Sequence, residues 1–207
     1  MQFDHWLAFA VASGILLTIP GPTVLLVISY ALGHGRRSAL STVAGVALGD
    51  FTAMTGSMLG LGALLAASAG VFTALKWVGA GYLIYLGIKL WRAPLTEFGD
   101  NATTSEVGRG RMFLHAYAVT SLNPKSIVFF VAFLPQFLDA SAQALPQMVI
   151  CEVTFVVMAT LNALLYGLMA SAARRTIRKP VVQRAVNRTG GSLLIGAGLL
   201  AVAWRKS

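Results

Sequence analysis

The sequence predicts an all-α, polytopic membrane protein of about six transmembrane helices, and three observations carry that prediction. Of 207 residues, 57% are hydrophobic and only 11% charged, with a mean hydropathy of +0.74. A soluble domain carries about 25% charged residues, so these charges cannot cover a water-facing surface. Six apolar runs approach or exceed the roughly 20 residues that span a bilayer. Between the runs, basic residues gather on alternate connections, as expected of loops on one side of a membrane.

Taken in order, the runs are 6–30, 40–66, 70–90, 112–137, 145–172 and 189–204. The first contains LTIPGPTVLL, with Pro20-Gly21-Pro22 at its centre. Proline lacks a backbone donor and clashes with the preceding turn, so the helix must break there. The second holds GVALGD, which sets Gly45 and Gly49 on one face beside Asp50; small residues allow close helix packing in a bilayer. The third, KWVGAGYLIYLG, carries Lys76 and Gly79. The fourth breaks at Asn123-Pro124-Lys125, the fifth holds Cys151 and Glu152, and the sixth, TGGSLLIGAGLLAVAW, is short and glycine-rich.

Charge orients these runs. The first connection carries Arg36 and Arg37, the third region Lys89, Arg92, Arg109 and Arg111, and the fifth six basic residues in RRTIRKPVVQRAVNR, 174–188. The second and fourth carry none. Connections 1, 3 and 5 are therefore expected in the cytoplasm and both termini in the periplasm, with Arg205 and Lys206 dissenting. The net charge of +9 then reflects membrane flanks, with anionic lipid expected near 174–188, rather than nucleic-acid binding. The N-terminus MQFDHW has no basic region, so the first run is expected to remain as an anchor. A lone Cys151 supports no disulfide framework or paired-thiol chemistry. His5, His34 and His115 are scattered, and no HExxH, CxxC or GxxxxGK[ST] spacing occurs. Neither an enzyme, a metal or cofactor site, nor an ATP-driven pump is expected.

The polar linker APLTEFGDNATTSEVGRG, 93–110, divides one domain, 1–207, into halves 1–92 and 111–207. Three spans per half make any repeat inverted in the membrane. Spacing favours a 3+3 inverted repeat with broken helices 1 and 4: Asp50 lies 28 residues after Pro22, and Glu152 lies 28 residues after Pro124.

Asp50, Lys76, Lys125 and Glu152 are charges inside the runs. Unpaired at mid-membrane, the four together would cost roughly 10–14 kcal/mol. They need partners, as in a structural ion-pair network, or a wet substrate or proton pathway. The helix breaks point to the second, because freed backbone is tolerated only against protein or a cavity. Exposed N–H groups attract carboxylate and exposed C=O groups attract an amine, so a broken helix offers both ends that an amino-acid zwitterion requires.

At these residues the chain resembles the LysE/RhtB family of bacterial amino-acid exporters. The likeness rests on IPGPTVLLVISYALGHGRRSAL, GVALGD, KWVGAGYLIYLGIKLWR and SLNPKSIVFFVAFLPQF, in that order across nearly the whole chain. It implies an inner-membrane secondary transporter that exports amino acids or close derivatives by proton antiport. The family pattern falls on Pro20, Gly21, Pro22, Gly49, Asp50, Lys76, Gly79, Asn123, Pro124 and Lys125; Glu152 is added from the spacing. Ile19 stands where threonine is frequent, which removes a hydroxyl contact.

The mechanism expected is alternating access around the two breaks. The substrate carboxylate would meet Lys125 or Lys76 and freed amides. Its ammonium would meet Asp50 and freed carbonyls, with Asp50 and Glu152 exchanging protons. An ion or metal-cation exporter using both acids as ligands is the alternative, although two accompanying lysines make a poor divalent site. The partners expected are the zwitterion, protons and the bilayer. The choice of amino acid and any homo-oligomer are left open by the sequence.

Overall fold

The computed structural model describes residues 1–67, 69–92, 108–139, 141–172 and 179–203. Eight α-helices make up nearly all of that: α1 Phe3–Thr18, α2 Pro22–His34, α3 Ala39–Ala67, α4 Ala69–Trp91, α5 Arg109–Ser121, α6 Pro124–Ala132, α7 Ala144–Ala172 and α8 Pro180–Ala203. Short 3-10 turns follow α2 and α6.

Both broken runs are divided where the prolines predict. Pro22 and Pro124 each occupy the first position of the second half-helix, where a missing N–H costs nothing and the fixed φ suits a helix. The α1–α2 pair bends by 51° at its break and is apolar and long enough to form one broken span. On its own, α7 is long and apolar enough to cross. Helices α3, α4 and α8 have 29, 23 and 24 residues, which at about 1.5 Å per residue is membrane length.

Exposure along α7 shows which solvent the fold expects. Val149, Val153, Val157, Leu161 and Leu165 recur every four residues and are about half exposed. The opposite face, with Cys151, Phe155, Ala159 and Ala163, is buried. An outward stripe of large apolar residues beside a small-residue inner face belongs to a bundle in lipid.

The bundle is interleaved across its two halves. Helix α3 packs on α5 and α7, α4 on α8, and α1 and α2 on α7. Phe9, Phe129, Phe130 and Phe155 form the centre with Met54, Leu83 and Leu134. The rings of Phe130 and Phe155 meet edge to face at 4.7 Å, the arrangement favoured by aromatic quadrupoles. Glycines set the closest crossings. A Cβ on Gly45 would lie 2.5 Å from the Phe113 carbonyl oxygen, and one on Gly191 would lie 2.6 Å from that of Gly87.

The sixth span departs from expectation. Helix α8 begins at Pro180 rather than near 189, so Arg184 and Arg188 stand on its first turns, not in a loop. Arg188 sits 5.9 Å over the Trp91 ring, which pairs its charge with the end of α4. Residues 174–178 of the basic segment and 93–107 of the linker lie outside the described residues.

Candidate functional site

Four helix ends converge at the middle of the bundle, and each leaves backbone groups that lipid cannot satisfy. The C-terminal end of α1 is closed by side chains. Lys125 Nζ donates to the Leu16 and Ile19 carbonyls at 3.0 and 2.9 Å. Asn162 Nδ2 donates to Leu17 O at 3.0 Å and Tyr166 Oη to Thr18 O at 2.8 Å. The freed carbonyls expected to receive a substrate ammonium are thus already occupied.

The start of α6 is closed as well. The Asn123 side chain accepts from Lys125 N at 3.1 Å, and Asn123 O takes the amides of Ser126 and Ile127. At the end of α5, Leu122 N and Asn123 N donate back to Ala118 O and Thr120 O. The start of α2 differs. Gly21 makes no side-chain cap, Pro22 has no N–H, and the first intrahelical bond comes from Leu25 N to Gly21 O. The Thr23 and Val24 amides therefore have no acceptor within their helix.

Thr23 and Val24 line a small buried cavity of about 30 Å³. Asp50, only 3% exposed, lines it with Thr23, Asn123, Lys125, Ser126 and Asn162. No hydrogen bond or ion pair within 4 Å engages the Asp50 carboxyl among the described residues, although Lys125 is near enough to act on it electrostatically. Thr23 Oγ1 accepts from Asn123 Nδ2 and Thr120 Oγ1, each at 3.2 Å, which ties the starts of α2 and α6 together. A second, larger cleft of about 210 Å³ lies on the other side of Gly21, Asn123 and Lys125. These three residues line both spaces.

The remaining predicted residues have separate places. Pro20 and Pro22 line the larger cleft with Pro124. Gly21 is extended, so no backbone strain demands glycine; it leaves room for Lys125, whose Nζ would be 3.3 Å from a Cβ. Gly49 and Gly79 are packing contacts: Cβ atoms there would lie 2.7 Å from Thr120 Cβ and 2.6 Å from Ala132 Cβ. Glu152 borders neither space; its Oε1 accepts from Thr55 Oγ1 at 2.5 Å. The two acids therefore do not form one ligand set. Lys76 belongs to α4, and its side chain lies outside the described residues.

Asn162, Tyr166 and Thr23 were missed by sequence reasoning. Asn162 and Tyr166 stand four apart on a mostly apolar helix, a spacing that places both on one face and that could have marked them.

A family model described as LysE type translocator matches residues 14–203. The chain is 36% identical over 208 residues to a homoserine/homoserine lactone efflux protein of Salmonella typhimurium, covering 99% of each. It is 35% identical over 202 residues to an uncharacterized membrane protein of Vibrio cholerae, covering 97% of each. A leucine efflux protein of Salmonella choleraesuis is 33% identical over 139 residues, 67% of this chain and 65% of that one. No solved structure matches the chain.

Proposed function

The chain belongs to the LysE family of translocators, and on that footing we propose that it exports amino acids or close derivatives across the bacterial inner membrane by proton antiport. The relatives named for homoserine and leucine efflux support the substrate class. One observation carries the reading: the uncapped start of α2 and the unengaged carboxyl of Asp50 border the same buried cavity. A helix N-terminus with free amides attracts a carboxylate, and a buried carboxylate without a partner attracts an ammonium. Together they match the two ends of a zwitterion.

This arrangement keeps the expected assignment of ends and moves Lys125 and the freed carbonyls from direct contact to support. The substrate carboxylate goes to the Thr23 and Val24 amides, while Asp50 takes the ammonium. Lys125 holds the end of α1 and supports the site from its wall. Glu152, engaged by Thr55, lies outside the cavity and has no part in this binding step.

At about 30 Å³ the cavity has room for one or two waters, so the conformation described is closed around the site. Loading requires the wall of Gly21, Asn123 and Lys125 to yield toward the larger cleft, and release requires an opening on the opposite side. That is alternating access, with the start of α2 as the moving element. Asp50 carries the proton when the amino acid has left. The basic residues at Arg36, Arg37 and 174–188 support a topology with connections 1, 3 and 5 in the cytoplasm and both termini in the periplasm.

The test is export from proteoliposomes under an imposed proton gradient. Wild type is expected to move an amino acid against its concentration gradient. Asp50→Asn is expected to lose the response to the proton gradient. Full gradient-driven export by that variant would remove Asp50 from the coupling.

A further inference from the structure

The larger cleft bears on which amino acid is carried. It adjoins the zwitterion cavity across Gly21, Asn123 and Lys125, so a substrate held by its head group at α2 and Asp50 extends its side chain into this space. At about 210 Å³ the cleft lies below the roughly 300–1,000 Å³ of pockets for drug-sized ligands. It suits a single small side chain.

Its wall is apolar over most of its extent, formed by Pro20, Pro22, Leu25, Leu86, Leu90 and Leu194. The polar exceptions are Asn123, Lys125 and Lys89. The first two are engaged: Asn123 Nδ2 donates to Thr23 and its Oδ1 accepts from Lys125 N, while Lys125 Nζ serves two carbonyls of α1. Lys89 is exposed near the end of α4 and stands at the rim. No acidic residue lines this cleft among the described residues.

Three consequences follow from that lining. An aliphatic side chain exchanges water for apolar wall, which is favourable. A hydroxyl gives up water and finds no unengaged side-chain partner inside, which carries a penalty. A cationic side chain meets two ammonium groups and no carboxylate, and like charges at such short range repel.

We propose that this cleft is the side-chain subsite and that the protein selects neutral amino acids with aliphatic side chains, disfavours hydroxylated ones and rejects cationic ones, with Lys89 as the charge filter at its mouth. The inference rests on the exporter reading. It also separates two named activities among the relatives, because homoserine carries a hydroxyl where leucine carries only methyl groups.

Counterflow in proteoliposomes loaded with leucine tests it. External leucine, homoserine, lysine and glutamate each compete for uptake of labelled leucine. Leucine is expected to compete about tenfold or more better than homoserine, the order of discrimination a hydrophobic pocket achieves against a hydroxyl. Lysine and glutamate are expected to compete poorly, lysine by repulsion and glutamate because its carboxylate must leave water for an apolar wall. Lys89→Glu, at an exposed position, is expected to admit lysine. A second variant, Leu86→Asn, is expected to narrow the gap between leucine and homoserine. Equal or better competition by homoserine, lysine or glutamate in the wild type overturns the subsite while leaving the exporter reading intact. A Lys89→Glu protein that still excludes lysine overturns the charge filter. Absence of counterflow for every amino acid in a folded preparation sinks the exporter reading itself.

Discussion

At the scale of single residues, the end of α1 shows how a buried helix break is made tolerable. The carbonyls of residues 16 to 19 receive hydrogen bonds from Lys125, Asn162 and Tyr166. These contributions are unequal. Tyr166→Phe removes one neutral hydrogen bond and is expected to lower stability by about 1 kcal/mol. Lys125→Met leaves the Ile19 carbonyl without a donor in a buried wall and takes one of two donors from Leu16 O, and is expected to cost about 1–3 kcal/mol for the unsatisfied group. Thermal unfolding in detergent distinguishes the two; equal losses would mean that Lys125 does not hold α1. The proline break and Lys125 were legible in the sequence because both residue types are costly in a membrane helix. Their connection was not, since Lys125 and Ile19 are more than a hundred residues apart.

A second residue-scale case lies in the loop after α6. Hydrogen bonds from the Ser141 hydroxyl and amide hold the exposed Asp139 carboxyl below its ordinary value of 3.8. A depressed folded pKa makes this contribution fully present above the unfolded carboxyl range. It is lost as pH falls through the lower, folded value. Ser141→Ala is expected to bring the pKa back toward 3.8, so that hydrogen exchange of the 138–143 amides rises at a higher pH than in wild type. Unchanged pH dependence would show that the turn does not need the ionised carboxyl. Gln147 supports the same loop, accepting from Asp139 N at 2.9 Å and donating to Asp139 O at 3.0 Å.

At the scale of elements, close crossings rather than propensity decide where helices sit. Lipid is as apolar as leucine, so helix pairs in a bilayer gain from packing and hydrogen bonds rather than from leaving water. The α4–α8 crossing is closest at Gly87 and Gly191, where a Cβ on Gly191 would also lie 2.9 Å from Trp91 Cβ. Gly191→Leu is expected to force the helices apart and to cost roughly 1–3 kcal/mol or more. Gly196 has open space around it, so Gly196→Leu serves as the control. Comparable folded yields for the two variants would contradict the assignment. The sequence marked Gly45, Gly49 and Gly79 as small residues on helix faces. Sequence spacing cannot say whether a small residue admits a substrate or another helix; the contacts with Thr120 and Ala132 decide for packing.

At the scale of the whole molecule, the halves joined by the 93–110 linker exchange most of their packing partners. Helix α3 lies on α5 and α7, and α4 lies on α8, so neither half has a bundle of its own. Fragments 1–92 and 108–207 are therefore expected to be unstable when produced alone and to co-purify when produced together. A separately folded half would contradict a single domain. Composition, hydropathy and charge sufficed for an all-α membrane protein, because a bilayer imposes span length and loop charge through local sequence alone. The prolines and buried charges likewise announced a central site, since each is expensive wherever it is not needed. Tertiary structure alone decided how the α1 break is resolved, because side chains from α6 and α7, distant in sequence, close the end of α1 while the start of α2 stays uncapped beside Asp50.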